Sequence, residues 1–208
     1  GPGGGIVFYV SATNFTSTGS DCNTTCKYLE AASSDQSTGI VWATTAAFCY
    51  NSGSTTATNS CQANSVYSGD STAQSTSRTA ATPIGMGMAN TNQIYARVSN
   101  GGGGGGALTS AYAAGIAWAY DNNSKTDWHL PSKDELNELC KYARTQTTGD
   151  TAVICANTGT IRSGFSSPYW SSSESGATTA WRQNFESGYQ NGGVSKNNAY
   201  YVRPVRAF

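Results

Sequence analysis

The chain has 208 residues, of which only 12% are charged, 12 basic and 12 acidic, giving a formal net charge of zero. That share is about half the usual one, and it lacks the basic clusters on which nucleic-acid and anionic-membrane binding depend. No apolar run approaches the roughly 18–20 residues that span a bilayer, so direct membrane insertion is not expected.

In chain order, Gly5-Ile6-Val7-Phe8-Tyr9-Val10 is a β-branched and aromatic run bounded by glycines and Ser11, which predicts a strand. Tyr28-Leu29-Glu30-Ala31-Ala32 and Gly39-Ile40-Val41-Trp42-Ala43 predict two more. A Ser/Thr/Gly-rich excursion over 44–106 follows, read as ordered because Cys49 and Cys61 would staple it. Within it, Pro83 to Asn90 predicts a glycine-punctuated turn. Its G-x-G is not a phosphate loop, since no Lys-Ser/Thr follows. Six glycines at 101–106 predict a surface loop.

Two helices are expected. Thr109 to Tyr120 places Tyr112, Ile116 and Ala119 on one face, with alanines keeping propensity high. The second is better specified: Ser132 and Glu135 form a capping box, and Leu136, Leu139, Cys140 and Ala143 recur at helical steps, predicting a helix over 133–144. Thr151 to Cys155 and Ala177 to Phe185 read as extended, with reversals at Gly188 and Gly192-Gly193. Tyr200 to Val205 closes the chain as a final strand able to pair with the first. Short strands with two main helices and long ordered loops make an α+β arrangement. No charged or Pro-rich linker divides it, so one domain over 1–208 is expected. The abrupt Gly1-Pro2-Gly3-Gly4-Gly5 start reads as a piece of a longer protein, with any secretion signal outside it.

Six cysteines, Cys22, Cys26, Cys49, Cys61, Cys140 and Cys155, are even in number. Local proximity favours Cys22–Cys26, Cys49–Cys61 and Cys140–Cys155 as disulfides, with buried free thiols as the other reading. A zinc site competes, but there is no C-x-x-C pair and only one histidine. Disulfides in a charge-poor, Ser/Thr/Asn-rich chain point to an extracellular or cell-surface location.

Catalytic constellations are thin. His129 sits just before the capped helix, where ring packing and a backbone hydrogen bond explain it. Asp134, Glu135 and Glu138 belong to the helix start, where anions complement the dipole. Arg203 and Arg206 read as locking the last strand by pairing with carboxylates such as Glu174 or Asp134, and Trp128 and Trp170 read as core. From Tyr169 to Phe208 large residues alternate with small polar ones, as an anchored frame carrying a varied face would.

Three segments together carry a family likeness: Gly3 to Val10, Thr126 to Leu136, and Tyr169 to Glu174 with Tyr201 to Arg206. They resemble the C-type-lectin-like domain at the C-termini of bacterial collagen-like adhesins, and the variable proteins of diversity-generating retroelements built on that scaffold. The resemblance implies a C-type lectin fold, related to the formylglycine-generating enzyme. Those enzymes use cysteines near the C-terminus, and here none follows Cys155, so no enzymatic activity and no cofactor are expected. The Glu-Pro-Asn and Trp-Asn-Asp signatures of calcium-dependent lectins are missing as well.

In retroelement variable proteins, adenines of a template are replaced during copying. Asparagine codons can then become many others, but not those for Lys, Glu, Gln, Met or Trp. The resemblance thus makes 169–206 a candidate variable region, with Ser175, Gly176, Thr179, Arg182, Ser187, Tyr189, Gly192, Gly193, Val194, Ser195, Asn197, Asn198, Ala199 and Tyr200 as ligand-contacting positions. Trp181, Gln183, Glu186, Gln190 and Lys196 fall in the fixed frame. Tyr, Ser, Gly, Asn and Arg are the chemistry of antibody loops, and Tyr189, Tyr200 and Arg182 are the expected anchors. About fourteen residues is fewer than the roughly 20–30 per side of a standard interface, so affinity through one copy should be modest. The expected partner is a protein or glycan on another cell, phage or host surface. The alternatives are an invariant adhesin module for glycans or sulfated polysaccharide, and an oxidase of the sulfatase-activating type.

Overall fold

The computed structural model describes residues 1–43, 80–99, 111–176 and 178–208. Most of the predicted 44–106 excursion, including Cys49, Cys61 and the glycine run at 101–106, lies outside the described residues, as do positions 109 and 110 of the first predicted helix.

The described residues form an α+β structure with two sheets. Strands β1 (Ile6–Phe15), β2 (Cys26–Ala31) and β8 (Val205–Ala207) make an antiparallel sheet in the order β1-β2-β8. The other sheet runs β3-β7-β4-β5-β6, from β3 (Ser37–Val41), β4 (Tyr169–Glu174), β5 (Thr179–Gln183), β6 (Gln190–Ser195) and β7 (Ala199–Val202). Only its β4–β7 pair is parallel. Helices α1 (Gly87–Ser99), α2 (Ala113–Ala119) and α3 (Lys133–Ala143) pack on these sheets.

Two apolar clusters hold the layers together. One joins Ile94 of α1 and the alanines of α2 to Trp42, Leu130, Trp170, Ala180, Val194 and Val202. The other joins Leu136, Leu139 and Ala143 of α3 to Phe8, Leu29, Tyr169, Phe185 and Val205. Each fully buried leucine or phenylalanine contributes about 1.5–3 kcal/mol relative to exposure.

The capped helix forms as its local code predicts. Ser132 Oγ accepts from Glu135 N, and Glu135 Oε2 accepts from Ser132 N at 2.8 Å. The Cys22–Cys26 and Cys140–Cys155 disulfides are present, and no described cysteine is free.

Elsewhere the chain departs from its predicted path. The turn expected over 83–90 instead leads into α1, a helix rich in poor helix formers and held by tertiary bonds: Asn90 Nδ2 donates to Ala81 O at 2.7 Å, and Leu130 N donates to Thr91 Oγ1 at 3.0 Å. Glycine is required at its start, because a Cβ on Gly87 would lie 2.2 Å from Glu135 Oε2 and 2.5 Å from the His129 ring. Helix α2 buries Ala113, Ala114 and Ala117 rather than the expected Tyr112, Ile116 and Ala119 stripe; Tyr112 and Ile116 are half-buried and Ala119 is exposed. Small side chains allow this short helix to approach its neighbours closely.

The strand expected over 151–155 is a turn, tied to α3 by Asn137, whose Nδ2 donates to Val153 O and whose Oδ1 accepts from Cys155 N, both at 2.9 Å. The final strand divides at Arg203-Pro204: β7 belongs to one sheet and β8 to the other. Proline has no N–H to continue a ladder. The first and last strands share a sheet, but β2 lies between them, so they do not pair.

Candidate functional site

The C-terminal half of the larger sheet is organised by β4, buried along its whole length. Its three serines are buried because each meets a distant partner. Trp42 Nε1 donates to Ser171 O at 2.9 Å, Ser172 N to Pro131 O at 2.7 Å, and Ser173 Oγ to Ala81 O at 2.8 Å. Glu174 ends the strand in a buried ion pair with Lys196, whose ammonium also lies 4.6 Å from the Trp42 ring centroid.

Around that strand the fixed-frame residues split. Gln183 and Lys196 are fully buried. Gln183 Nε2 donates to Asn137 Oδ1 at 3.2 Å and to Gly188 O at 3.1 Å, and Gln190 Nε2 donates to Gln183 Oε1 and Lys133 O, both at 3.0 Å. Trp181 is half-buried, with Lys133 Nζ 5.2 Å from its ring. Glu186, also assigned to the frame, is exposed.

Of the fourteen candidate positions, Val194 alone is buried, at 6% exposure. Its partner across the ladder is Ala180, and both point into the α1–α2 core, so Val194 is a packing residue and not a contact residue. Codon chemistry carries no information about facing, which register sets. The other thirteen are half-buried or exposed: Ser175, Gly176, Thr179, Arg182, Gly192, Ser195 and Tyr200 are half-buried, and Ser187, Tyr189, Gly193, Asn197, Asn198 and Ala199 are exposed.

Seven of these thirteen fall into three groups rather than one flat face. Ser175 Oγ donates to Thr179 Oγ1 at 3.0 Å and to Gly192 O, gathering the β4–β5 turn against β6. Arg182 lies opposite Asn191 in the ladder and 5.3 Å from the Tyr200 ring, which in turn meets Trp170 edge-on at 4.7 Å. The Nε and Nη1 of Arg182 are shielded from solvent and donate to no partner among the described residues. Ser187 and Tyr189 stand apart on the β5–β6 turn, which Gly188 holds so close to Cys155 that a Cβ would lie 2.2 Å from its carbonyl oxygen. Tyr189 is the most exposed of the large apolar side chains among the described residues, at 60%. Tyr200 is different: it packs against the core, so it is an anchor of the fold as much as of any ligand. Asn191 is a half-buried neighbour of Arg182 that the list of candidates omits. Its being asparagine, the template codon itself, is the signal that marks it.

The charged residues beneath the sheets are structural, with partners other than those expected. Arg203 Nε donates to Asp35 Oδ1 at 2.7 Å. Arg206 reaches Asp127, Glu30 at 3.1 Å and Asp21 at 3.0 Å. Neither meets Glu174 or Asp134. Burial lowers the Arg206 pKa, but the Asp127 and Glu30 carboxylates outweigh it and raise the pKa overall. Burial and the Asp35 carboxylate raise the Tyr169 hydroxyl well above the ordinary tyrosine value.

His129 is fully buried, exchanges two backbone hydrogen bonds with Val205, and sets Nε2 3.3 Å from Glu135 Oε2. Among the described residues, no group of His, Cys, Asp and Glu is arranged to hold a metal ion, and no helix is long and apolar enough to cross a membrane.

The fold is similar to that of a solved fimbrial protein from Bacteroides ovatus ATCC 8483, with a TM-score of 0.52 at 15% identity. The match covers 98% of this chain and 44% of the fimbrial one, so the chain spans under half the length of that protein. At this identity the likeness is one of fold alone. Among curated proteins, none matches in sequence. The family model described as the Lcl C-terminal domain matches residues 31–206, from the last residue of β2 into β8, and the chain belongs to that family.

Proposed function

We propose that the chain is an extracellular adhesion module of C-type lectin fold whose exposed residues on β5, β6, β7 and their turns bind a protein or glycan on another surface. In this reading the face is diversified by a retroelement, and the domain is not an enzyme and needs no cofactor. One observation carries it: thirteen of the fourteen candidate positions keep solvent exposure, with the frame residues Gln183 and Lys196 fully buried between them. The family, the fimbrial fold likeness and the two disulfides support a surface adhesion module in particular.

The neighbouring DNA tests the reading. A reverse-transcriptase gene and a near-copy of the sequence for 169–206 are expected, differing at adenines and concentrated in the codons of the exposed positions. A near-copy whose differences fall equally on Gln183, Lys196 and Trp170 overturns it. Salt-sensitive retention of the purified domain on heparin would instead favour an invariant module for sulfated polysaccharide.

A further inference from the structure

A cleft of about 500 Å³ opens between the loop at Gly19 and Asp21, Met88 in the first turn of α1, and the chain from Trp118 to Asp127. That volume lies within the roughly 300–1,000 Å³ of small-ligand sites. Its walls are aromatic and braced. Trp118 is 39% exposed, yet its ring stacks on Tyr95 with centroids 3.9 Å apart and planes 9° from parallel. Tyr95 therefore covers one ring face, and the remaining exposed surface makes Trp118 part of the cleft lining. Tyr120 is held edge-on by the buried Trp128 at 5.0 Å.

The charge in the cleft is unbalanced. Among the described residues, three carboxylates line it, and no lysine or arginine does. Two are already paired: Asp21 with Lys125 at 2.9 Å and Arg206 at 3.0 Å, and Asp127 with Arg206 and with Asp21 N at 2.9 Å. Asp121 is exposed and makes no side-chain hydrogen bond or ion pair among the described residues. Burial raises the pKa of the Tyr120 hydroxyl, the Arg203 charge opposes the rise, and the Asp121 and Glu30 charges add to it, so the Asp121 carboxylate acts within electrostatic reach of the aromatic wall. A bare carboxylate in water binds small cations weakly. Beside rigid aromatic faces it favours a cation that is poorly hydrated on one side and offers C–H surface to the rings.

We propose that this cleft binds an ammonium group on a short aliphatic stem, with Asp121 as counter-charge and Trp118 and Tyr120 as the walls that take the stem and the cation. None of the residues lining the cleft is a candidate-face position, so the inference is independent of the adhesion reading. The test is an NMR titration that follows the Trp118 indole N–H, assigned through its loss in Trp118→Phe. n-Butylammonium should shift that signal saturably, whereas n-butanol should not, and Asp121→Asn should weaken n-butylammonium binding about tenfold with the melting temperature unchanged. Equal saturation by n-butanol or methyl glucoside, unchanged affinity in Asp121→Asn, or no shift with n-butylammonium would overturn the proposal. A blocked lysine, Nα-acetyl-lysine methylamide, separates the sources. Tighter binding than n-butylammonium points to a protein side chain and weaker binding to a free amine, and either upholds the cation site.

Discussion

Replacing Glu135 by glutamine removes one negative charge and almost no volume from the junction of α1, α3 and the chain around His129. Four donors converge on this carboxylate: Ser132 N and Gly85 N at 2.8 Å, Gly87 N at 3.4 Å and His129 Nε2 at 3.3 Å. A glutamine has one acceptor oxygen. If it faces Gly85 and Gly87, the new NH2 confronts Ser132 N–H; if it turns, the conflict moves to the glycines. At least one buried hydrogen bond to a charged group is lost, at about 1.5–3 kcal/mol, and an N–H is orphaned, so a total near 3 kcal/mol is expected. For a chain of this size each kcal/mol shifts the melting temperature by roughly 2–4 °C, which makes the drop about 6–12 °C at pH 7. Urea unfolding and calorimetry with the disulfides intact measure it.

The same variant has a pH signature. Burial pushes the Glu135 carboxyl up, but His129 and the Ser132 and Gly85 N–H groups outweigh it and hold the pKa below the ordinary 4.5. A depressed carboxylate contributes stability that is present above its unfolded pKa and lost as pH falls through the folded one. The wild type and Glu135→Gln should therefore differ at pH 7 and converge in acid. A loss under about 1 kcal/mol at pH 7, or a gap that does not narrow below pH 4.5, would refute the reasoning.

Adjacent glycines in β6 should behave oppositely. A Cβ on Gly192 would lie 2.8 Å from the Trp181 ring, whereas on Gly193 it would meet only Asn191 Oδ1 at 3.4 Å, so Gly192→Tyr should lower the urea midpoint and Gly193→Tyr should leave it nearly unchanged. Tyr189→Ala should leave the melting temperature within error, while Tyr200→Ala, which strips a ring from Trp170, should cost about 1–3 kcal/mol in the same assay. Arg206→Met leaves the Glu30 and Asp127 carboxylates without their shared guanidinium, and a loss of about 3–5 kcal/mol is expected by calorimetry.

What could be read before folding was local. Helix α3 was legible because Ser132, Glu135 and the leucine spacing all lie within one stretch, and the two described disulfides close short loops. Helix α1 was not, since Asn90 and Thr91 argue against a helix and its support comes from Ala81 and Leu130. The partners of Arg203 and Arg206 were also out of reach, because Asp35 and Asp127 come near only through strand order. Which positions reach solvent was visible only in part: Val194 is buried, and Glu186, assigned to the frame, is exposed. Whether a small residue in a two-stranded ladder points inward depends on register, here the pairing of Ala180 with Val194.

The split of the C-terminal segment between two sheets has a kinetic consequence. The contacts of Arg203 with Asp35 and of Arg206 with Asp21 close loops of 168 and 185 residues, whereas the hydrogen bonds of Ser175, Ser187 and Asn198 reach no farther than 17. Folding rates follow the closure of the long loops. Exchanging exposed residues of the face should then act mainly on how fast the domain unfolds, leaving the rate at which it folds to the arginines at its end.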